Sequence, residues 1–317
     1  MMKDAIGGYF SLELKDMQPF HKAENSLSLN TGRNCLEYLL EVNDYKLVYI
    51  PYFTCDVILE PFKKLSIPYQ FYSIDENLEP IFDFDSLEEN EAFLYTNYFG
   101  IKDNYVNKLS SYGINLIIDN AQSFFSQPVK GVDTFYSARK FVGVSDGAYL
   151  FTNKYLDREL KQDQSYNRME YLLKRIDTSA EQGYNAFTEN DRSLVGQPIK
   201  RMSKLTEFIL KSVDYETIKS IRLVNFRFLH DILKNSNQLV FDLNDNQVPM
   251  VYPYWTKDLV LKKRLQEHRI YCATYWPNVK EWCNPKSLEY RLMDEVVYLP
   301  IDQRYNIDTM KEILKYV

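Results

Sequence analysis

Lys140 sits in the segment Thr134-Phe-Tyr-Ser-Ala-Arg-Lys-Phe-Val-Gly-Val-Ser-Asp-Gly147, after a short aromatic strand and before a glycine-punctuated loop. Twenty-one residues earlier an apolar strand runs into a carboxylate, Leu116-Ile-Ile-Asp-Asn-Ala-Gln122. An amine and a carboxylate at the ends of successive strands can hold an aldehyde cofactor that needs both. A lysine amine forms a Schiff base with pyridoxal phosphate, and a carboxylate keeps the pyridine nitrogen protonated so that the ring accepts electrons. Taken singly, Lys140 also fits a surface lysine and Asp119 the start of a loop. The order and context of the pair favour the chemistry.

Three further segments could complete such a site. Asn30-Thr-Gly-Arg-Asn-Cys-Leu36 is a polar turn running into an apolar-periodic helix, whose first N–H groups, with Thr31, Gly32 and Arg33, can bind a phosphate. The turn alone favours an ordinary N-cap by Thr31 or Asn30. Ile50-Pro-Tyr-Phe-Thr-Cys-Asp56 offers Tyr52, Phe53 and Cys55 as packing partners for a planar ring, against a competing role as core aromatics and a helix cap. Gln122 could donate to the cofactor's phenolic oxygen, and Ser137 could bind the same phosphate as Thr31. A pyridinium beside Asp119 would lower its pKa, as any adjacent cation does. Asp146-Gly147 reads as a tight turn. No Walker A pattern is present.

The elements that must position these residues follow from patterning. Strands are expected at Leu47–Ile50, Tyr69–Ile74, Ala92–Thr96, Asn115–Ile118, Thr134–Tyr136 and Ala148–Phe151, with helices at Asn34–Val42, Asp56–Leu65 and Asp103–Tyr112. Such alternation implies an α/β fold with a mostly parallel sheet sandwiched by helices, and ligands bind beyond the carboxyl ends of its strands. Asp119 and Ser137 fall just past those ends. From about Leu156 to Asp231 the chain turns polar and helical, as at Glu159-Leu-Lys and from Arg168 to Arg175, with a loop-rich interruption expected over Ser179–Gln197. Val240–Val317 reads as a smaller α+β unit, with strands at Met250–Trp255 and Val296–Leu299 and helices at Lys257–His268 and Ile307–Tyr316. The expected division is a large domain over 1–235 and a small one over 236–317.

Bulk properties exclude several classes. A net charge of −6 over 317 residues argues against bulk attraction to nucleic acid. No apolar run approaches a membrane span, and Met1-Met-Lys-Asp-Ala lacks the apolar core of a secretory signal, so a cytoplasmic location is expected. The four cysteines (Cys35, Cys55, Cys272, Cys283) and three histidines are too dispersed to suggest a metal site. The 26 tyrosines and 19 phenylalanines favour a subunit interface or a ligand cleft.

The order of the segments resembles the DegT/DnrJ/EryC1/StrS family of sugar aminotransferases, fold-type-I enzymes that use pyridoxal phosphate. Asn30-Thr-Gly-Arg-Asn-Cys-Leu36 is similar to the family's phosphate turn, and Ile50-Pro-Tyr-Phe-Thr to its Val-Pro-x-x-Thr corner. Ile118-Asp-Asn-Ala-Gln-Ser123 is similar to its Glu-Asp-x-Ala-Gln-Ala segment. Lys140, Gly143, Asp146 and Gly147 match Lys-x-x-Gly-x-x-Asp-Gly-Gly. Gly196-Gln-Pro-Ile-Lys-Arg-Met202 resembles a stretch that reaches the neighbouring subunit's site, and Tyr298-Leu-Pro-Ile301 resembles the closing Leu-Pro-Met. The chain departs from the family in having Phe135 where a serine precedes the lysine by five residues, and Cys55 where an aromatic stacks on the ring.

The resemblance implies a homodimeric aminotransferase acting on a keto sugar, nucleotide-linked, with glutamate as donor. Lys140 and Asp119 would be its catalytic residues; Thr31, Gly32, Arg33, Tyr52, Cys55, Gln122 and Ser137 would complete the cofactor site. Arg139 or Arg201 could supply a cation for the donor carboxylate. The departures at Cys55 and Phe135 also suit a binding or scaffold protein that kept the fold without turnover. A third reading is a lyase or dehydratase on the same scaffold. Its relatives can carry a histidine at the lysine position, and Lys140 disfavours it.

Overall fold

Short β-branched and aromatic runs bounded by turns form strands, and the 3.6-periodic stretches between them form helices. The computed structural model describes residues 6–21, 26–241, 243–244 and 247–317, so the Met1–Ala5 stretch lies outside the described residues. The first half comprises β1 (Ser26–Leu29), α1 (Gly32–Val42), β2 (Leu47–Pro51), α2 (Leu59–Leu65), β3 (Tyr69–Ile74), β4 (Pro80–Ile81), β5 (Glu91–Thr96), α3 (Asp103–Ser110), β6 (Leu116–Asn120), β7 (Asp133–Ser137) and β8 (Ala148–Phe151). Four helices follow: α4 (Glu170–Asp177), α5 (Ala180–Ser193), α6 (Lys204–Lys211) and α7 (Tyr215–Leu233). The remainder is β9 (Val251–Trp255), α8 (Leu261–Glu267), α9 (Val279–Trp282), α10 (Leu288–Glu295), β10 (Val296–Pro300) and α11 (Ile307–Leu314).

Eight strands make one sheet in the order β1-β8-β7-β6-β5-β2-β3-β4. The central five, β7, β6, β5, β2 and β3, are parallel; β8 and β4 are antiparallel to their inner neighbours, and β1 is antiparallel to β8. Strand residues alternate between the two faces, as the period of two requires. Val48, Ile50, Ala92, Leu94, Ile117 and Phe135 pack with α1 and α2, whereas Phe93, Tyr95, Leu116, Ile118 and Tyr136 pack with α3. The mostly parallel, helix-sandwiched sheet expected from the sequence is present.

Strand β3 lies on one side of β2 and β5 on the other, so the chain reverses its order of travel between β2 and β5. Ligand crevices open beyond the carboxyl ends of the strands at such a reversal. Because β1 points the same way as the parallel set, α1 also begins at that edge.

Three sequence expectations are corrected. Ser179–Gln197 is not a loop: it holds α5, capped by the Ser179 hydroxyl, which accepts from the Gln182 N–H at 3.3 Å. Gly183 is a close-approach residue rather than a breaker, since a Cβ there would lie 2.9 Å from the Tyr171 carbonyl oxygen of α4. Glu159-Leu-Lys is not helical either; the chain there has no regular structure and continues into a bridge between Gln162 and Arg201. The helix expected over Lys257–His268 is shorter, Leu261–Glu267, because the Asp258 carboxylate accepts the Val260 N–H and holds a turn before it.

The C-terminal unit is built on an antiparallel β9–β10 pair. Helix α7 packs on it through Phe226, Leu229 and Leu233, against Tyr252, Leu299, Met310 and Ile313.

Candidate active site

A cleft of 420 Å³ opens at the carboxyl edge of the sheet, a size suited to a small ligand. It is lined by Thr31, Gly32 and Arg33 from the start of α1, by Cys55 after β2, by Asp119 of β6, by Ser137 at the end of β7 and by Lys140 after it. Seven of the residues singled out from the sequence are therefore brought together. Tyr52 and Gln122 are not among the lining residues. Tyr52 stacks on Phe71, with centroids 4.7 Å apart and planes 16° apart. Gln122 is buried; its Oε1 accepts from the Phe99 N–H at 3.2 Å, while its Nε2 has no hydrogen-bond partner.

Asp119 pairs in register with Thr96 on one side and Phe135 on the other, which fixes its place at the end of the sheet. Its Oδ1 accepts the Ala121 N–H at 2.8 Å. Burial pushes the carboxyl above the usual carboxylate range, opposed by the nearby Lys140 ammonium and by the Ala121 N–H. Lys140 closes a 3-10 turn, Ala138–Lys140, and among the described residues no hydrogen bond or ion pair engages its amine. Cys55 feels the same ammonium: burial raises its thiol pKa, and Lys140 is the largest opposing influence. The Lys140 ammonium thus lies within electrostatic reach of both groups while its own bonding capacity is unspent.

The start of α1 takes the N-cap role. Thr31 Oγ1 accepts from the Asn34 N–H at 3.1 Å and donates to Asn34 Oδ1 at 2.6 Å. The first N–H groups of a helix have no intrahelical acceptors, so this end still attracts an anion. A Cβ on Gly32 would lie 3.7 Å from the Phe135 ring, an ordinary contact. Arg33 is committed to Glu60 at 2.6 Å, and the other Glu60 oxygen accepts the Gly196 N–H at 2.6 Å.

Helix α5 and the turn after it supply a wall the sequence did not foretell: Thr188, Asp191 and Arg192 of the helix, and Val195 beyond it, line the cleft. Asp191 pairs with Arg139, the residue before Lys140. Helices α4 and α5 hold the glycine loop after the lysine, with Tyr171 of α4 donating to the Val144 carbonyl at 2.9 Å and Asn190 of α5 to the Ser145 carbonyl at 3.0 Å. The available signal was Ser179-x-x-Gln182, a capping-box pattern before a helical stretch. Arg201, the other proposed cation, does not line the cleft; it bridges to Leu29 and Gln162.

Among the described residues, an unpaired amine within electrostatic reach of a half-buried carboxylate, with a helix start and an unpartnered hydroxyl also lining the cleft, can hold an electron-accepting aldehyde that carries an anionic group. The donor set fits pyridoxal phosphate.

No protein-family model matches the chain, and no curated protein matches it in sequence. Solved structures do. DesV from S. venezuelae superposes with a TM-score of 0.64 at 14% identity, over 94% of this chain and 85% of its own. A DegT DnrJ EryC1 StrS aminotransferase from Brucella abortus gives 0.60 at 15% identity, over 92% and 84%. Spr1654 from Streptococcus pneumoniae, in its PLP form, gives 0.61 at 13% identity, over 92% and 86%. The chain therefore has the fold of these solved structures, the fold-type-I arrangement of pyridoxal-phosphate enzymes.

Proposed function

We propose that this chain is a pyridoxal-phosphate-dependent aminotransferase that passes an amino group from glutamate to a nucleotide-linked keto sugar. The observation that carries the reading is the unengaged amine of Lys140 within electrostatic reach of the half-buried Asp119 carboxylate, at the carboxyl edge of the sheet. The fold likeness supports the cofactor, and the names of the similar structures support the sugar class.

Bound pyridoxal phosphate supplies an electron sink for charge that develops at the donor carbon. Lys140 would bind its carbonyl carbon and, once displaced, carry the proton that moves between substrate and cofactor on Nζ. Asp119, with Oδ1 fixed by the Ala121 N–H, would hold a proton on the ring nitrogen. The first turn of α1, with Thr31 and Gly32, and the Ser137 hydroxyl would take the phosphate. Arg33 would act through the Glu60 pair that ties α1 to the Gly196 turn. Cys55 would stand beside the ring, and Gln122 would offer Nε2 to its oxygen. Arg139 would receive the donor carboxylate in exchange for Asp191.

Two copies would build the working enzyme, a reading supported by the exposed Tyr166, Leu173, Ile176 and Tyr184 on and beside α4–α5. A monomeric, fully active preparation on light scattering would exclude this.

The test is borohydride reduction of the protein with pyridoxal phosphate, followed by peptide mapping and assay against a panel of keto sugars. A pyridoxyl group on Lys140 and amino-sugar product are expected, both lost in Lys140→Ala. Absence of label on Lys140 would sink the reading; label without any amino transfer would favour the binding-protein alternative.

A further inference from the structure

Arg222 of α7 is the largest fully buried side chain of the described protein, 2% exposed, and among the described residues no carboxylate pairs with it. A buried cation without an ion-pair partner is costly unless its donors are all directed at acceptors. Burial pushes its pKa down to about 10. Its guanidinium lies 4.7 Å from the centroid of the Phe141 ring. Its Nη1 donates to the Met250 carbonyl at 2.9 Å and its Nε to Gln303 Oε1 at 3.2 Å. Gln303 in turn donates its Nε2 to the Phe141 carbonyl at 2.7 Å.

Phe141 is the residue after Lys140, so one cation grips it twice, through the ring and, by way of Gln303, through the carbonyl. The turn that presents Gln303 follows β10 and is itself anchored to α7: Asn225, one helical turn from Arg222, donates to the Ile301 carbonyl at 3.1 Å and the Tyr305 carbonyl at 3.0 Å. On the other side of Lys140, Ser137 is held in the sheet opposite Ala148. The lysine backbone is thus fixed at both ends, once by the sheet and once by α7 with the turn after β10. This gives the Tyr298-Leu-Pro-Ile301 segment a place in the site, although it lies far from Lys140 in sequence.

We propose that Arg222 and Gln303 are positioning residues for Lys140, holding the peptide after it so that its amine keeps one direction in the cleft. The inference rests on the reading of Lys140 as the reactive lysine.

The test uses the full chain carrying Gln303→Leu and, separately, Arg222→Lys. Two readouts are taken: deuterium exchange of the amides of 141–144 in cofactor-free protein, and the rate at which Lys140 becomes pyridoxylated under borohydride trapping. Loss of the clamp is expected to speed that exchange about tenfold while β10 and α7 keep their protection. The Lys140 labelling rate is expected to fall about tenfold, with the label still on Lys140, because small misplacements of a reacting group are expensive. A merely structural role would loosen β10 and α7 as well and leave the labelling rate of the folded fraction unchanged, which overturns the proposal. If Arg222→Lys does not fold, Gln303→Leu decides, since its side chain is only half-buried. If the unmodified protein gives no label on Lys140, the cofactor reading fails while the exchange comparison still decides the positioning.

Discussion

Ser203 donates twice to Asp146 across 57 positions of sequence, its N–H to Oδ2 at 2.7 Å and its hydroxyl to Oδ1 at 2.8 Å. Thr206 adds a third donor to the same carboxylate at 2.5 Å. Asp146 therefore holds Ser203, the N-cap residue of α6, and locks the loop that follows Lys140 onto that helix. Removing the carboxylate leaves buried donors unsatisfied, each costing about 1–3 kcal/mol. Asp146→Ala is expected to lose about 3 kcal/mol in urea denaturation. Gly147→Ala should also destabilise, because its φ of +115° disfavours a side chain and a Cβ would lie 2.9 Å from Thr206 Cγ2.

Asp119 separates stability from chemistry. A carboxyl whose folded pKa lies above its unfolded value stabilises the fold at acid pH and loses that contribution as pH rises through the folded value. Burial places Asp119 in this class, so ionising it works against the cofactor-free fold. Asp119→Asn is expected to change cofactor-free stability by no more than about 1 kcal/mol. Amino transfer should fall by about 10²-fold or more, as when a single electrostatic stabiliser is removed from an active site. A large stability loss with activity retained would contradict both halves.

His21 gives the fold an acid limit. It is buried against Phe124, Tyr136, Tyr149 and Phe151, and burial pushes its pKa down to about 3, partly opposed by its 2.7 Å hydrogen bond to the Phe124 carbonyl. Below about pH 6.5 the unfolded chain takes up a proton that the folded chain refuses until about pH 3. His21 stability is therefore complete above pH 6.5 and drains as the pH falls through that window. Between pH 7 and pH 5 the loss attributable to His21 is about 2 kcal/mol. His21→Gln should flatten this part of the urea-midpoint profile.

Much of the sheet was legible because each strand carries its own signal. Tyr69–Ile74 and Ala148–Phe151 match to the residue, and Asp119 and Lys140 fall at strand ends as their sequence context demands. Less legible were contacts that join distant segments. Nothing local to Arg139 announces Asp191 of α5, and nothing near Phe141 announces Gln303. Cys55 reaches the cleft because it follows a strand and Ser137 because it ends one, whereas Tyr52, just past β2, stacks on Phe71. Helix α5 was hidden by its composition: Gly183 and Gly196 read as breakers, although one serves a helix contact and the other ends the segment with a φ of +67°.

Gly183 makes that last point measurable. In a helix interior, replacing glycine with alanine ordinarily stabilises by about 1 kcal/mol, because alanine restricts the unfolded backbone. Here the added Cβ would meet the Tyr171 carbonyl oxygen at 2.9 Å, closer than any side chain tolerates, and the obstacle is backbone that cannot rotate away. Helix α5 would have to withdraw from α4, loosening the wall formed by Thr188, Asp191 and Arg192. Gly183→Ala is therefore expected to destabilise by about 1–2 kcal/mol in urea denaturation, the cost of overpacking, against the sign given by helix propensity. Asn185→Ala, on the exposed face of the same helix, should gain a few tenths of a kcal/mol and serves as the control. A gain at both positions would mean that α4 and α5 do not touch at Gly183, and that the wall of the cleft is set by something other than their contact.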